Sequence, residues 1–172
     1  MLFSDFPDLT VNSATNADQQ SIVQLIDTCY QEYGDRVVLD GDDSDLLNIE
    51  SNYRDRDGEF IAVTDSTGSI IGTHAVVPLD KARGLCTFRR LYLEKSYRGS
   101  GLGQALMLWA IQWARNTGYS RVEFWSDTRF TRAHQFFRKL GFETSLETRD
   151  MDDGIQPYSE YFFWLDFPPK AL

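Results

Sequence analysis

Apolar positions along this chain switch repeatedly between helical and strand spacing, and their order predicts a mixed fold. Leu9-Thr10-Val11-Asn12 reads as a short first strand, with Asn16 or Asp18 as N-cap of the helix that follows. Ile22, Leu25, Ile26 and Cys29 then recur on one helical face, carrying that helix to about residue 33. Residues 35–45 hold five aspartates around Val37-Val38-Leu39, an acidic loop expected to open a second helix over about 44–53. Residues 59–65 and 69–78 read as strands joined by Ser66-Thr67-Gly68, which has hairpin-turn chemistry. A turn at 80–84 leads into a third long strand over 85–93. Leu106, Ala110, Trp113 and Ala114 then line one face of a helix over 103–116, stopped by Asn116-Thr117-Gly118. A strand over 121–126 and a helix over 131–140, ended by Gly141, come next. Residues 143–149, a polar break at 150–154, and residues 158–167 with their alternating aromatics form a closing hairpin.

Composition narrows the class. A chain of 172 residues is expected to be one domain over 1–172, and 42% apolar content with 14% aromatics suits a packed globule. No apolar run is long enough for a membrane helix, and the N-terminus lacks the basic and apolar regions of a signal peptide. Cys29 and Cys86 are too few for a disulfide framework or a zinc site, so no metal and a cytoplasmic location are expected. A net charge of −9 argues against nucleic-acid binding and favours a cationic substrate over an anionic one. Against that sign, Arg89, Arg90, Lys95 and Arg98 cluster near the chain's most glycine-rich stretch, as an anionic cofactor would require.

That stretch is Arg98-Gly99-Ser100-Gly101-Leu102-Gly103, placed between a strand and a helix. Such a turn presents backbone N–H groups without intrahelical acceptors at the positive end of the helix dipole, which suits phosphate. Gln104 breaks the dinucleotide fingerprint, and no lysine follows Gly103 as a Walker loop would need. The pattern R-x-x-G-x-G instead resembles the pyrophosphate loop of the GNAT superfamily of N-acetyltransferases, as does its approach, Arg90-Leu91-Tyr92-Leu93. About forty residues on, Ala133, Phe136, Gly141 and Phe142 match the family's A-x-x-[LF]-Y-x-x-x-G-F segment. With the strand order, the resemblance covers roughly residues 9–166.

The resemblance implies an α/β (α+β) GNAT fold, a central mixed, mostly antiparallel sheet of six to seven strands flanked by about four helices. It implies acetyl-CoA as cosubstrate and a small primary amine as acceptor, with no membrane or nucleic acid involved and a homodimer compatible with it. Leu91 and Leu93 would offer backbone groups to the pantetheine arm. The N–H groups of Gly99, Ser100, Gly101, Leu102 and Gly103 would hold the pyrophosphate, and Phe136 and Phe137 would border the cofactor. Arg98 would add its charge or cap the turn. The acidic loop would border the acceptor.

Two positions depart from the family. Phe137 stands where relatives often carry a tyrosine that protonates the leaving thiolate, and Thr87 stands where many carry a glutamate base. Tyr92, Glu94, Glu123, Asp127, His134 and Tyr158 remain as candidates; Asp127 at the end of its strand, His134 and Tyr92 are the ones expected to act. His74 inside a strand reads as a packed structural histidine, and Cys86, on the strand face opposite Thr87, as no nucleophile. The departures keep open a noncatalytic acyl-CoA-binding domain, and net acidity keeps open a lysine-bearing peptide acceptor.

Overall fold

The structure is a computed structural model that describes residues 2–152 and 155–168. Seven strands form one sheet in the order β1-β2-β3-β4-β5-β7-β6. They are β1 (Thr10–Ser13), β2 (Glu59–Thr64), β3 (Ile70–Asp80), β4 (Leu85–Leu93), β5 (Arg121–Asp127), β6 (Glu143–Met151) and β7 (Tyr158–Asp166). All neighbours pair antiparallel except β4 and β5, which run parallel. The helices are α1 (Gln19–Gln31), α2 (Ile49–Asn52), α3 (Leu102–Thr117) and α4 (Thr131–Lys139). This is the GNAT-type layout expected, and the closing hairpin places β7 inside against β5, with β6 at the edge. Asp153 and Gly154 of the expected polar break lie outside the described residues.

Several element ends differ from the sequence pattern, for local reasons. Asp18 holds the N-cap position of α1 without a side-chain cap bond there. The 3₁₀ turn leading in is capped by Thr15, its side chain accepting from Ala17 N while Asp18 reaches back to Thr15 N at 2.8 Å, a reciprocal capping box. The second helix does not run through 44–53. It breaks into a 3₁₀ turn over Ser44–Leu47 and the single turn α2, because Asn48 leaves the helical region to cap Ser51 N with its side chain. Gly118, at φ 103°, ends α3 by bonding back to Ala114 and Arg115 carbonyls.

Apolar residues bury both sheet faces. Met107, Ala110 and Ala114 of α3 and Phe137 of α4 pack on Cys86, Phe88, Val122, Phe124 and Phe163. Ile22 and Ile26 of α1, with Leu46 and Ile49, cover Phe60, Ala62 and Ala75 on the other face. On β3, His74 falls on the α3 side. It is fully buried between Phe88 and Trp109, with Nδ1 3.1 Å from the Leu106 carbonyl. That bond makes Nδ1 the donor, leaving Nε2 a buried lone pair with no partner among the described residues. The structural reading of His74 therefore holds.

Burial pushes the His74 pKa from 6.5 down to about 4. An unfolded chain binds a proton there first, so His74 supports the fold fully above about pH 6.5 and withdraws that support as pH falls toward 4. The loss reaches about 3 kcal/mol. Urea unfolding of wild type and His74→Phe at about pH 7 and about pH 4.5 checks this. The variant should lose distinctly less stability on acidification, and equal losses would show that His74 does not carry the effect.

Candidate active site

The site begins where the sheet comes apart. β4 and β5 pair at Leu85–Arg121 and Cys86–Val122 and at no later position, so the C-terminal part of β4 has no partner on its β5 side. Further along, the β3–β4 register slips between Thr73 and Ala75, and Arg90 takes a left-handed φ of 58°. A bulge of this kind re-aims side chains. It turns Arg89 and Arg90 together toward the α1 face, where both guanidiniums come within salt-bridge range of Asp45.

Arg90 is the deep one, only 8% exposed. Its Nη1 meets Asp43 Oδ1 at 2.6 Å, and its Nε and Nη2 meet Asp45. Around this pair, Tyr92 donates its hydroxyl to Tyr30 at 3.0 Å, Tyr30 to Asp43 at 3.3 Å, and Tyr53 to Asp45. Burial raises the pKa values of Tyr30, Tyr53 and Tyr92, so all three stay protonated as donors. A second clamp lies across the gap. Arg129 binds Asp127 through its backbone N and guanidinium, reaches Asp35 at 3.2 Å, and stacks over Tyr158. The two arginines thus pin the loop after α1 to both lips of the opening.

The opening is a cavity of about 760 Å³ that passes from the α1 face to the α3–α4 face. Thr87, Arg89, Leu91, Glu123 and Trp125 line its strand walls, and Met107 and Phe137 its helix side. Ile155 N approaches Asp35 Oδ1 at 3.4 Å, bringing the segment before β7 onto the loop after α1. Among the described residues no group of His, Cys, Asp and Glu side chains is arranged to hold a metal. No helix there is long and apolar enough to cross a membrane.

Beyond the end of β4 lies the glycine turn. Gly99 and Gly101 take φ of 86° and 93°, open to glycine at little cost. The N–H groups of Gly99, Gly101, Gly103 and Gln104 have no acceptor among the described residues, whereas Ser100 N leans on Tyr97 O at 3.4 Å and Leu102 N on Ser100 Oγ at 3.3 Å. The loop therefore offers fewer free donors than its sequence suggests, but they flank the N-terminus of α3. Arg98 turns away from it, pairing with Glu32 at 2.6 Å and donating Nε to the Leu93 carbonyl at 3.0 Å. It ties α1 to the end of β4 instead of adding charge to the loop. The Leu93 carbonyl is thereby already engaged, while Leu91, inside the bulge, has no β3 partner.

The expected catalytic side chains are placed unevenly. Asp127, the expected proton acceptor, reaches the cavity with its carboxylate held by Arg129. His134 does not reach the cavity: it is buried against Phe163 and Tyr161, with Nε2 3.1 Å from Ser126 Oγ, and burial lowers its pKa. Tyr92 lines the cavity, yet its hydroxyl is spent on Tyr30. Phe137 borders the cavity, packed on Phe124 and Phe163, while Phe136 packs beside the core and away from it. Cys86 is buried, its pKa pushed up to about 12, so it is no nucleophile. Sequence reasoning missed the two arginine clamps; the run of aspartates was visible, but nothing near it in sequence named Arg90 or Arg129 as its partner.

Residues 20–142 match the family model described as Acetyltransferase (GNAT) family, and the chain belongs to that family. Uncharacterized N-acetyltransferase YjgM of Escherichia coli is 27% identical over 135 residues, covering 75% of this chain and 78% of that one. Human N-acetyltransferase 8B is 28% identical over 104 residues, and the match spans 58% of this chain but only 45% of the human protein. Among solved structures, a GNAT acetyltransferase of Staphylococcus aureus superposes with TM-score 0.79 at 19% identity, covering 92% and 98% of the two chains. A phosphinothricin acetyltransferase of Sinorhizobium meliloti, solved in complex with AcCoA, gives 0.72 at 17% identity, covering 92% and 88%. At such identities these two establish the fold.

Breaking a buried pair by removing one partner strands the other charge, a loss of about 3–5 kcal/mol. Arg90→Met should destabilise by that amount in urea unfolding, and adding Asp43→Asn and Asp45→Asn to it should recover part of the loss. A loss below about 1 kcal/mol would place Arg90 among ordinary surface arginines.

Proposed function

We propose that this chain transfers the acetyl group of acetyl-CoA to the primary amine of a small molecule, by direct attack within a ternary complex. The observation that carries the reading is the set of free N–H groups at the head of α3, one strand end away from a cavity that passes through the sheet. The first would hold pyrophosphate; the second gives thioester and amine a common chamber, which removes most of the entropic barrier to their meeting. Solved relatives from Sinorhizobium meliloti and Salmonella typhimurium hold acetyl-CoA in the same fold. The contact between the segment before β7 and the loop after α1 narrows the acceptor side, favouring a small acceptor over a polypeptide.

In the reaction the amine nitrogen attacks the thioester carbon, the C–S bond breaks, and the amine's proton leaves as CoA departs as thiolate and is protonated. Glu123 is a carboxylate on the cavity wall only loosely paired with a guanidinium, 3.4 Å from Arg121, which itself binds Asp166 more closely. We assign it the proton, directly or through water. Phe137 offers no hydroxyl to the thiolate, a tolerable loss because a thiolate leaves readily. The same residue is what favours the second reading, an acyl-CoA-binding domain without turnover.

Acetyl-CoA at saturation should raise the melting temperature by about 5 °C or more, and Gly101→Val should abolish the shift with circular dichroism unchanged. No shift in the wild type would remove the cofactor assignment. Glu123→Gln should cut kcat roughly a hundredfold in a free-thiol assay while retaining the acetyl-CoA shift. A shift without thiol release from any amine would instead favour the binding domain and make Phe137→Tyr the informative substitution.

A further inference from the structure

The acidic loop invites the idea that carboxylates draw in a cationic acceptor, but most carboxylates on this wall already hold arginines. Asp43 and Asp45 hold Arg90, Asp35 and Asp127 hold Arg129, and Glu160 holds Arg149 at 2.6 Å. Asp42 is engaged as well. Two cations on the cavity wall are less committed than the rest. Arg36 lines the cavity, and its side chain meets no anion among the described residues. Arg89 also lines it, and its one carboxylate is Asp45 at 3.7 Å, through the same oxygen that Arg90 already binds. Both guanidiniums are exposed, one from the loop after α1 and one from β4, so they stay hydrated until an anion reaches them. Arginine presents a planar fork suited to a carboxylate.

The rest of the wall is aromatic. Trp125 and Phe162 are tilted by 48° with centroids 5.1 Å apart, the Arg149 guanidinium lies over Trp125 at 4.6 Å, and Tyr33 and Phe130 form an edge contact at 4.7 Å. A small polar amine would leave these rings in water, whereas a broad apolar body would cover them.

We propose that the acceptor is an amino acid, with its carboxylate read by Arg36 and Arg89 and an aromatic or similarly broad side chain laid against Trp125 and Phe162. This rests on reading the cavity as the acceptor site of an acetyltransferase. It also fits the chemistry of attack: the nitrogen must be uncharged, so the substrate's anion provides the hold while Glu123 takes the proton.

The test uses matched acceptors, phenylalanine against phenethylamine and tryptophan against tryptamine, in the free-thiol assay with the full chain. The amino acids should be preferred by about tenfold or more in kcat/KM, with the difference in KM. In the Arg36→Gln, Arg89→Gln double variant that preference should collapse. A preference for the decarboxylated amines, or one that the double variant leaves intact, overturns the proposal while the turnover itself upholds acetyl transfer. A second readout needs no turnover: thermal protection, with CoA present, by N-acetylphenylalanine against N-acetylphenethylamine. Stronger protection by the carboxylated product supports the ligand class even where no acceptor turns over, an outcome that would count against catalysis alone. Equal protection by the two products overturns the class.

Discussion

A parallel strand pair that stops pairing after two positions is the constraint on which this molecule turns. Had β4 and β5 stayed together beyond Cys86 and Val122, the sheet would be continuous and there would be no chamber in it. Sheets do not leave backbone donors and acceptors idle without something to satisfy them, and here water or a ligand must do so. The antiparallel pairing of β7 with β5 along its whole length holds the far lip in place while β4 departs. One rigid edge and one released edge give a cleft whose width is set by the fold rather than by loops.

Opening a sheet threatens the layers packed on it, and the arginine clamps answer that threat. The loop after α1 lacks regular structure over residues 35–43, and only Val37 and Leu39 of it pack against the core, so packing alone would hold it loosely. Arg90 fixes it to β4 from below, and Arg129 fixes it to the end of β5. Burying such pairs brings little net stability, because desolvation opposes the attraction. Their value here is positional: each guanidinium has donors in fixed directions, so the loop has one place to sit. That Arg90 occupies a left-handed backbone position fits this, since strain of that kind persists only where surrounding contacts dictate it.

How much of this the sequence disclosed follows from the range of each interaction. Periodicity is local, so the long strands, α3 and α4 could be read to within a residue or two, and the glycine turn with the Gly141-Phe142 segment pointed to the family. The break at Asn48 was missed because a side-chain cap competes with helix continuation over a single residue, too short for periodicity to register. Arg90 was legible only as one of several cations near the turn. Its partners lie 45 and 47 residues away, joined to it by a bulge that no residue pattern announces. Asp127 was rightly placed at the strand end, but its engagement by Arg129, two residues on, rests on a turn whose folding back the sequence does not show.

The same accounting shows why net charge alone does not name the acceptor. A chain at −9 has an acidic surface on average, and average charge governs long-range attraction and solubility. Recognition inside a cavity depends on which charges remain unpaired at close range. In this cavity the fold has used aspartates to hold arginines that hold the loop, which removes both from the available set. The charges left to a ligand are then those of the residues that the scaffold did not need, Arg36, Arg89 and Glu123 among them. An acidic protein whose chamber binds an anion, as proposed, would therefore be no contradiction: one property is a sum over the surface, the other a local remainder.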